Sequence, residues 1–164
     1  MASGNTLLTL SAMDSTPPAS SYATMDVRNA HPVLDFDAAA DESALFECVL
    51  PRLYAGGGLT VYIHWAATSA TSGDVIWGVA IERIGEGQQD LDADGFATAN
   101  TVTATASGTS GNIDIASVAF TAGAQMDSIA VGEAFRLKLY RDADAAGDTM
   151  AGDAEVMAIE IKET

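Results

Sequence analysis

Cysteine, histidine and positive charge are all scarce in this sequence, and each scarcity removes a class of function. There is one cysteine, Cys48, so no intrachain disulfide framework is possible and no zinc-ligand spacing occurs. His31 and His64 are the only histidines, which leaves little material for general acid–base work. Lys and Arg number 7 against 23 Asp and Glu, a net charge of −16, and this speaks against nucleic-acid binding by a basic surface. No apolar run approaches the roughly 20 residues that span a bilayer as a helix. The opening residues MASGNTLLTLSAMD have neither a basic region nor a continuous apolar stretch of the signal-peptide kind. Neither a nucleic-acid nor a membrane partner is expected.

What the chain has instead is alternation. In the segment LPRLYAGGGLTVYIHWAATSATSGDVIWGVAIERI, Leu50 to Ile84, Leu59, Val61, Ile63 and Trp65 share one parity, with Thr60, Tyr62 and His64 on the other. Val75, Trp77, Val79 and Ile81 repeat the pattern. Each run is a strand with one buried face that carries a Trp. Gly56, Gly57 and Gly58 ahead of the first run supply positive-φ freedom at a sharp turn into it.

The same reading finds roughly eight strands in all, from period-2 runs and turn signals. They are Val33 to Phe36, Ser43 to Leu50, Leu59 to Ala66, Val75 to Arg83, Thr101 to Ala106, Ile113 to Phe120, Ala134 to Tyr140 and Ala154 to Lys162. The one helical signal, Thr121 to Val131, permits a single short turn. Residues 1–32 are polar and weakly periodic, with Pro17 and Pro18, and read as an extended N-terminal arm before a domain of residues 33–164, with Tyr22 to Val27 able to add a short edge strand. A length of 164 residues suits one core. The expected fold is all-β, an antiparallel two-sheet sandwich of jelly-roll type, with a seven-stranded immunoglobulin-like sandwich as the alternative. Deleting residues 1–30 is expected to leave a folded domain. Tyr22, Met25 and Val27 of the arm are candidate partner-binding residues.

Asp90, Asp92, Asp94 and Gly95 match the start of an EF-hand calcium loop, but position twelve is Thr101 rather than Glu and no helices flank it. They are weak calcium candidates, and an acidic solvent loop is the favoured reading. A second acidic loop, with Asp142, Asp144, Asp148 and Asp153, could hold a cation, but the favoured reading is a turn fixed by backbone N–H groups and by pairing with Arg136 and Arg141. Cys48 reads as a small core residue. No nucleophile elbow, phosphate loop or dinucleotide fingerprint occurs. No catalytic residue and no cofactor are expected, so the chain reads as non-enzymatic. The surplus acidity suits solubility, salty water, divalent ions or docking on a basic partner.

The Leu50 to Ile84 segment, together with the closing FRLKLYRDADAAGDTMAGDAEVMAIEIKE, resembles small virion structural proteins of tailed bacteriophages. The similarity covers Val33 to Thr164. It rests on the Gly run before the first Trp strand, the second Trp strand and the Arg-Asp loop before the final strand. The resemblance implies a capsid decoration, or cement, protein on the outer surface of a virion, bound to the major capsid protein. A homo-oligomer, a trimer by fit to threefold positions, would go with that role. The alternative it implies is a fibre or appendage domain that binds host-surface glycans through rim loops and aromatics such as Tyr54, Tyr62 or Tyr140.

Overall fold

A computed structural model describes residues 3–164. Its strands are β1 (Thr6–Ser11), β2 (Ser15–Thr16), β3 (Thr24–Arg28), β4 (His31–Phe36), β5 (Glu42–Val49), β6 (Leu59–Ala67), β7 (Asp74–Ile84), β8 (Asn100–Thr105), β9 (Asp114–Phe120), β10 (Ala134–Arg141) and β11 (Ala154–Glu163). The eight strands expected from alternation are β4 to β11, in order.

Their pairing decides the topology. Among these eight, β4 pairs with β11, β5 with β10, β6 with β9 and β7 with β8, all antiparallel. That is one long hairpin wrapped around a barrel-like axis, which is the jelly roll. The first sheet runs β3-β4-β11-β6-β9 and the second β2-β5-β10-β7-β8. An immunoglobulin-like order is thereby excluded, because its sheets do not pair the first and last of eight strands in this nested way.

The N-terminal segment differs from expectation. Residues 6–28 are not an arm that reaches away from the domain. β1 pairs with β11 beside β4, from Thr6 opposite Lys162 to Ser11 opposite Ala158. β2 pairs with β5, Tyr22 bridges to Ser43, and β3 pairs with β4. The segment therefore crosses from one sheet to the other and back, and it buries Leu7, Ala12 and Ala23. Short apolar runs such as Leu7, Leu8 and Leu10 carry too few residues for periodicity to register. Sheet edges that need a partner recruit them instead.

Between the sheets lie the inward parities of all eight strands. Trp65 and Trp77 meet edge to face, with centroids 5.8 Å apart, and Phe36 stands perpendicular to Trp77 at 5.1 Å. These are the geometries that aromatic quadrupoles favour. Both indole N–H groups are buried without an acceptor, so the aromatic area must offset about 1–3 kcal/mol of lost hydration for each. The Gly run does what was expected at Gly56, which adopts φ +98°. Within Thr121 to Val131 only a single 3-10 turn forms, Ala124–Met126. Left-handed Asp127 and Ser128, at φ 52° and 56°, stop it there.

Candidate functional site

The edge of the first sheet is built by a tight hairpin. Asn29 and Ala30, at φ 46° and 66°, make a two-residue turn of the left-handed kind that matches strand twist, and Arg28 faces His31 across it. Antiparallel alternation then directs the N–H and C=O of Arg28, Asp26 and Thr24 toward β4. Those of Met25 and Val27 are left on the outer edge. The Asp26 carboxylate accepts the Val27 N–H at 2.7 Å, as a free donor requires. β3 is the last strand of its sheet.

The two faces of β3 differ in chemistry. Met25 and Val27 lie on the sandwich side, and with Tyr22 they are 44%, 63% and 50% exposed. Tyr22 and Met25 stand at a 340 Å³ crevice where the sheets part, lined also by Pro17, Leu34 and Ala44. Of the candidate partner residues, Met25 and Val27 lie on the edge strand β3, and Tyr22 lies just before it, bridged to Ser43 of the other sheet. On the opposite face, Asp26 and Thr24 sit beside Asp35 and Glu155. The nearby cation, Arg28, is held by Glu155 and by the Ala67 carbonyl at 3.1 Å.

This outer face concentrates negative charge. Burial, and then repulsion from Asp153, Glu155, Asp26 and Glu42, pushes the Asp35 carboxyl up to about 6. Its Oδ1 is buried with no donor. In the unfolded chain the same group titrates near 3.8. Between those values the folded state holds a proton that the unfolded state has lost, so this group's contribution favours folding at low pH and declines as pH rises from about 4 to about 6. Asp35→Asn should remove that decline. At neutral pH it is expected to stabilise by about 1 kcal/mol after discounting for solvent screening, or about 2–4 °C in Tm. Melting curves of both proteins between pH 4 and 7 check this, and parallel curves would count against it.

The second sheet presents a different surface. The Tyr140 ring sits against β7 at Gly78, where a Cβ would overlap it. The Lys138 ammonium stands 5.5 Å from the ring centroid. Farther along, Arg136 pairs with Glu82 at 2.5 Å and lies against the Phe96 ring. Arg136 therefore does not pair with the acidic loop, contrary to expectation, because its neighbour across the ladder is Glu82 on β7. Beyond Tyr140, Asp41, Asp142 and Asp144 bring carboxylate oxygens within 4.8 Å of one another. Asp41 also accepts the N–H of Ala143 at 2.8 Å. Burial, and then Asp41 and Asp144, push Asp142 above the usual carboxylate range.

Arg141 meets its expectation and exceeds it. The pair with Asp148 is fully enclosed, at 0% and 1% exposure. Nε and Nη2 donate to the two carboxylate oxygens at 3.0 and 2.7 Å, and the remaining donors reach the carbonyls of Gly152 at 2.8 Å and Met150 at 3.0 Å. Asp148 also accepts the Ile76 N–H at 3.1 Å. One guanidinium thus organises the whole turn from β10 to β11.

Other candidates are scattered. Asp90 accepts the Asp92 N–H at 3.0 Å in a local turn, and among the described residues Asp90, Asp92 and Asp94 do not gather into a three-carboxylate group. Cys48 is half-buried against the core, and burial pushes its thiol up to about 11. Tyr54 donates to the Gly57 carbonyl at 2.5 Å at the opposite end from Tyr140, and Tyr62 lies on the outer face of the first sheet. His31 and His64 sit on β4 and β6. Sequence reasoning missed Glu163, which is buried and accepts the N–H groups of Ala55 at 3.0 Å and Gly57 at 2.8 Å and the Ser3 hydroxyl. Burial alone would raise its carboxyl, but those hydrogen bonds outweigh it and hold it below the usual range. Nothing local in a C-terminal IKET marks such a residue.

Neither a protein-family model nor a curated protein matches this sequence. Solved structures do match in fold. The chain is similar to a carbohydrate-binding module from Cellvibrio mixtus lichenase 5A in complex with cellotriose, at a TM-score of 0.53 and 10% identity, over 98% of this chain and 99% of that one. It also matches the Clostridium thermocellum xylanase 10B modules complexed with xylohexaose, at a TM-score of 0.47 and 10% identity, over 100% of this chain and 29% of that one. Infectious bursal disease virus, Gx strain, gives a TM-score of 0.40 at 12% identity, over 96% of this chain and 32% of that one. At such identities the likeness of the first defines an architecture, the two-sheet jelly-roll sandwich. It assigns no ligand.

Proposed function

We propose that this chain is a non-enzymatic structural protein that decorates the outer capsid surface of a virion, with the major capsid protein as its partner and a closed homo-oligomer, a trimer, as its working form. The observation that carries this reading is the apolar edge. Tyr22, Met25 and Val27 are exposed together on and beside the outermost strand, next to an open crevice. Natural proteins blunt such edges unless something pairs with them. The resemblance of the Trp strands and the Arg-Asp loop to phage virion proteins supports the same reading. Quantifying the chain in purified particles tests it. The expected result is many copies per particle, on the scale of the capsid subunits, and a chain absent from particles overturns it.

A second reading has its own observation. Tyr140, seated against Gly78 with the acceptors Asp41 and Asp142 near it, is the kind of platform on which a sugar ring stacks while its hydroxyls are hydrogen-bonded. It favours a glycan-binding appendage domain. Tyr140→Ala should abolish binding on a glycan array while the unfolding transition stays cooperative. An array with no hit for the parent protein removes this reading.

A further inference from the structure

The β3 edge carries two different surfaces on its two faces, and an incoming strand would have to satisfy both. Side chains alternate between faces along a strand. Those of an added strand that fall on the sandwich side would meet Val27, Met25 and the crevice lined by Tyr22 and Leu34. Those on the other side would meet Asp26, with Asp35, Glu155 and Asp153 behind it. Arg28, the cation nearest that cluster, is already engaged by Glu155 and Ala67. The Asp35 Oδ1 stands buried without a donor.

We infer that this edge is completed by an extended segment of the partner protein in which apolar and cationic residues alternate, added antiparallel to β3. The main chain of that segment takes up the outward N–H and C=O groups of Met25 and Val27. Asp26, which occupies the Val27 N–H at 2.7 Å, is the placeholder. When a partner carbonyl takes that N–H, the carboxylate is freed to meet the incoming cation. Lys or Arg, with a long flexible stem, can run over Asp26 toward Asp35. Charge complementarity selects the partner: the chain's own excess of 23 acidic over 7 basic side chains disfavours a second copy at this edge.

The inference rests on the capsid-docking reading for the identity of the partner, but its test needs no particle. A synthetic peptide of about nine residues, a strand's length, that alternates Val and Lys is titrated into the full chain and followed by backbone amide shifts. Binding is expected to move the amides of Met25 and Val27 first and to weaken with salt. Asp26→Lys is expected to weaken it at least tenfold, and N-methylation of the peptide on one edge to abolish it. Both Asp26 and Val27 are exposed, so the variants should fold, and an unchanged Tm verifies it.

An absence of binding overturns the inference. So does equal binding of the N-methylated peptide, or of one with the same residues in two blocks, since either means mere attraction to an acidic surface. A change of oligomeric state on Val27→Lys would assign the edge to a second copy and overturn it as well. Peptide binding by a chain that particles lack would keep the edge and discard the virion reading. Many copies on particles without peptide binding would do the reverse.

Discussion

Arg141→Ala is expected to destabilise the protein by about 3–5 kcal/mol, because it leaves the Asp148 carboxylate enclosed without its cation. The guanidinium is fully enclosed, and its loss also strips donors from the Gly152 and Met150 carbonyls. At this chain length such a change lowers Tm by roughly 6–20 °C. Arg141→Lys should recover little, since an ammonium cannot span the two carboxylate oxygens and the two carbonyls from one plane. Replacing both partners, Arg141→Met with Asp148→Leu, should recover part of the loss by removing the stranded charge. Thermal and denaturant unfolding of the four proteins measures this. A single variant within about 0.5 kcal/mol of the parent, the range of ordinary surface substitutions, would show that the pair does not hold the turn from β10 to β11.

Removal of residues 1–16 is expected to yield an insoluble or non-cooperative protein. β1 covers the flank of β11 from Ala158 to Lys162, and Leu7 and Ala12 are buried, with Leu8 and Leu10 packed against the core. Losing those contacts costs about 4 kcal/mol or more at the usual burial energy per side chain. It also bares a long apolar edge that invites aggregation. The sequence by itself predicts the opposite, an arm that can be cut away. Sedimentation and unfolding of the truncated chain separate the two outcomes, and a soluble chain with parental Tm would restore the arm.

That contrast shows where sequence reasoning reached. The eight strands of the jelly roll were legible because each is long enough for period-2 alternation to appear, and because Gly- and Asp-rich connections punctuate them. Trp65 and Trp77 announced the core through parity alone. Arg141 and the acidic loop after it were legible as a pair of opposite charges close in sequence. By contrast, β1 carries too short an apolar pattern to register and its partner lies more than a hundred residues away, with Thr6 opposite Lys162, and β2 is two residues long and pairs with β5. The cluster of Asp26, Asp35, Glu42, Asp153 and Glu155 is drawn from four separate stretches of chain, so no spacing rule could have gathered it.

Scarcity of cysteine, histidine and positive charge, together with alternation, determined from sequence that this is an acidic all-β domain with an aromatic core. Those properties depend on composition and on the local period of the backbone, which a linear reading captures. An edge strand around Tyr22 to Val27 was also legible, and it forms as β3. The tertiary structure alone decided that β1 and β2 belong to the sandwich, and that one face of the β3 edge is apolar and the other anionic. Such properties arise only when the nested pairing of β4 with β11 sets distant strands side by side, because strand pairing is a long-range choice that no local residue pattern encodes.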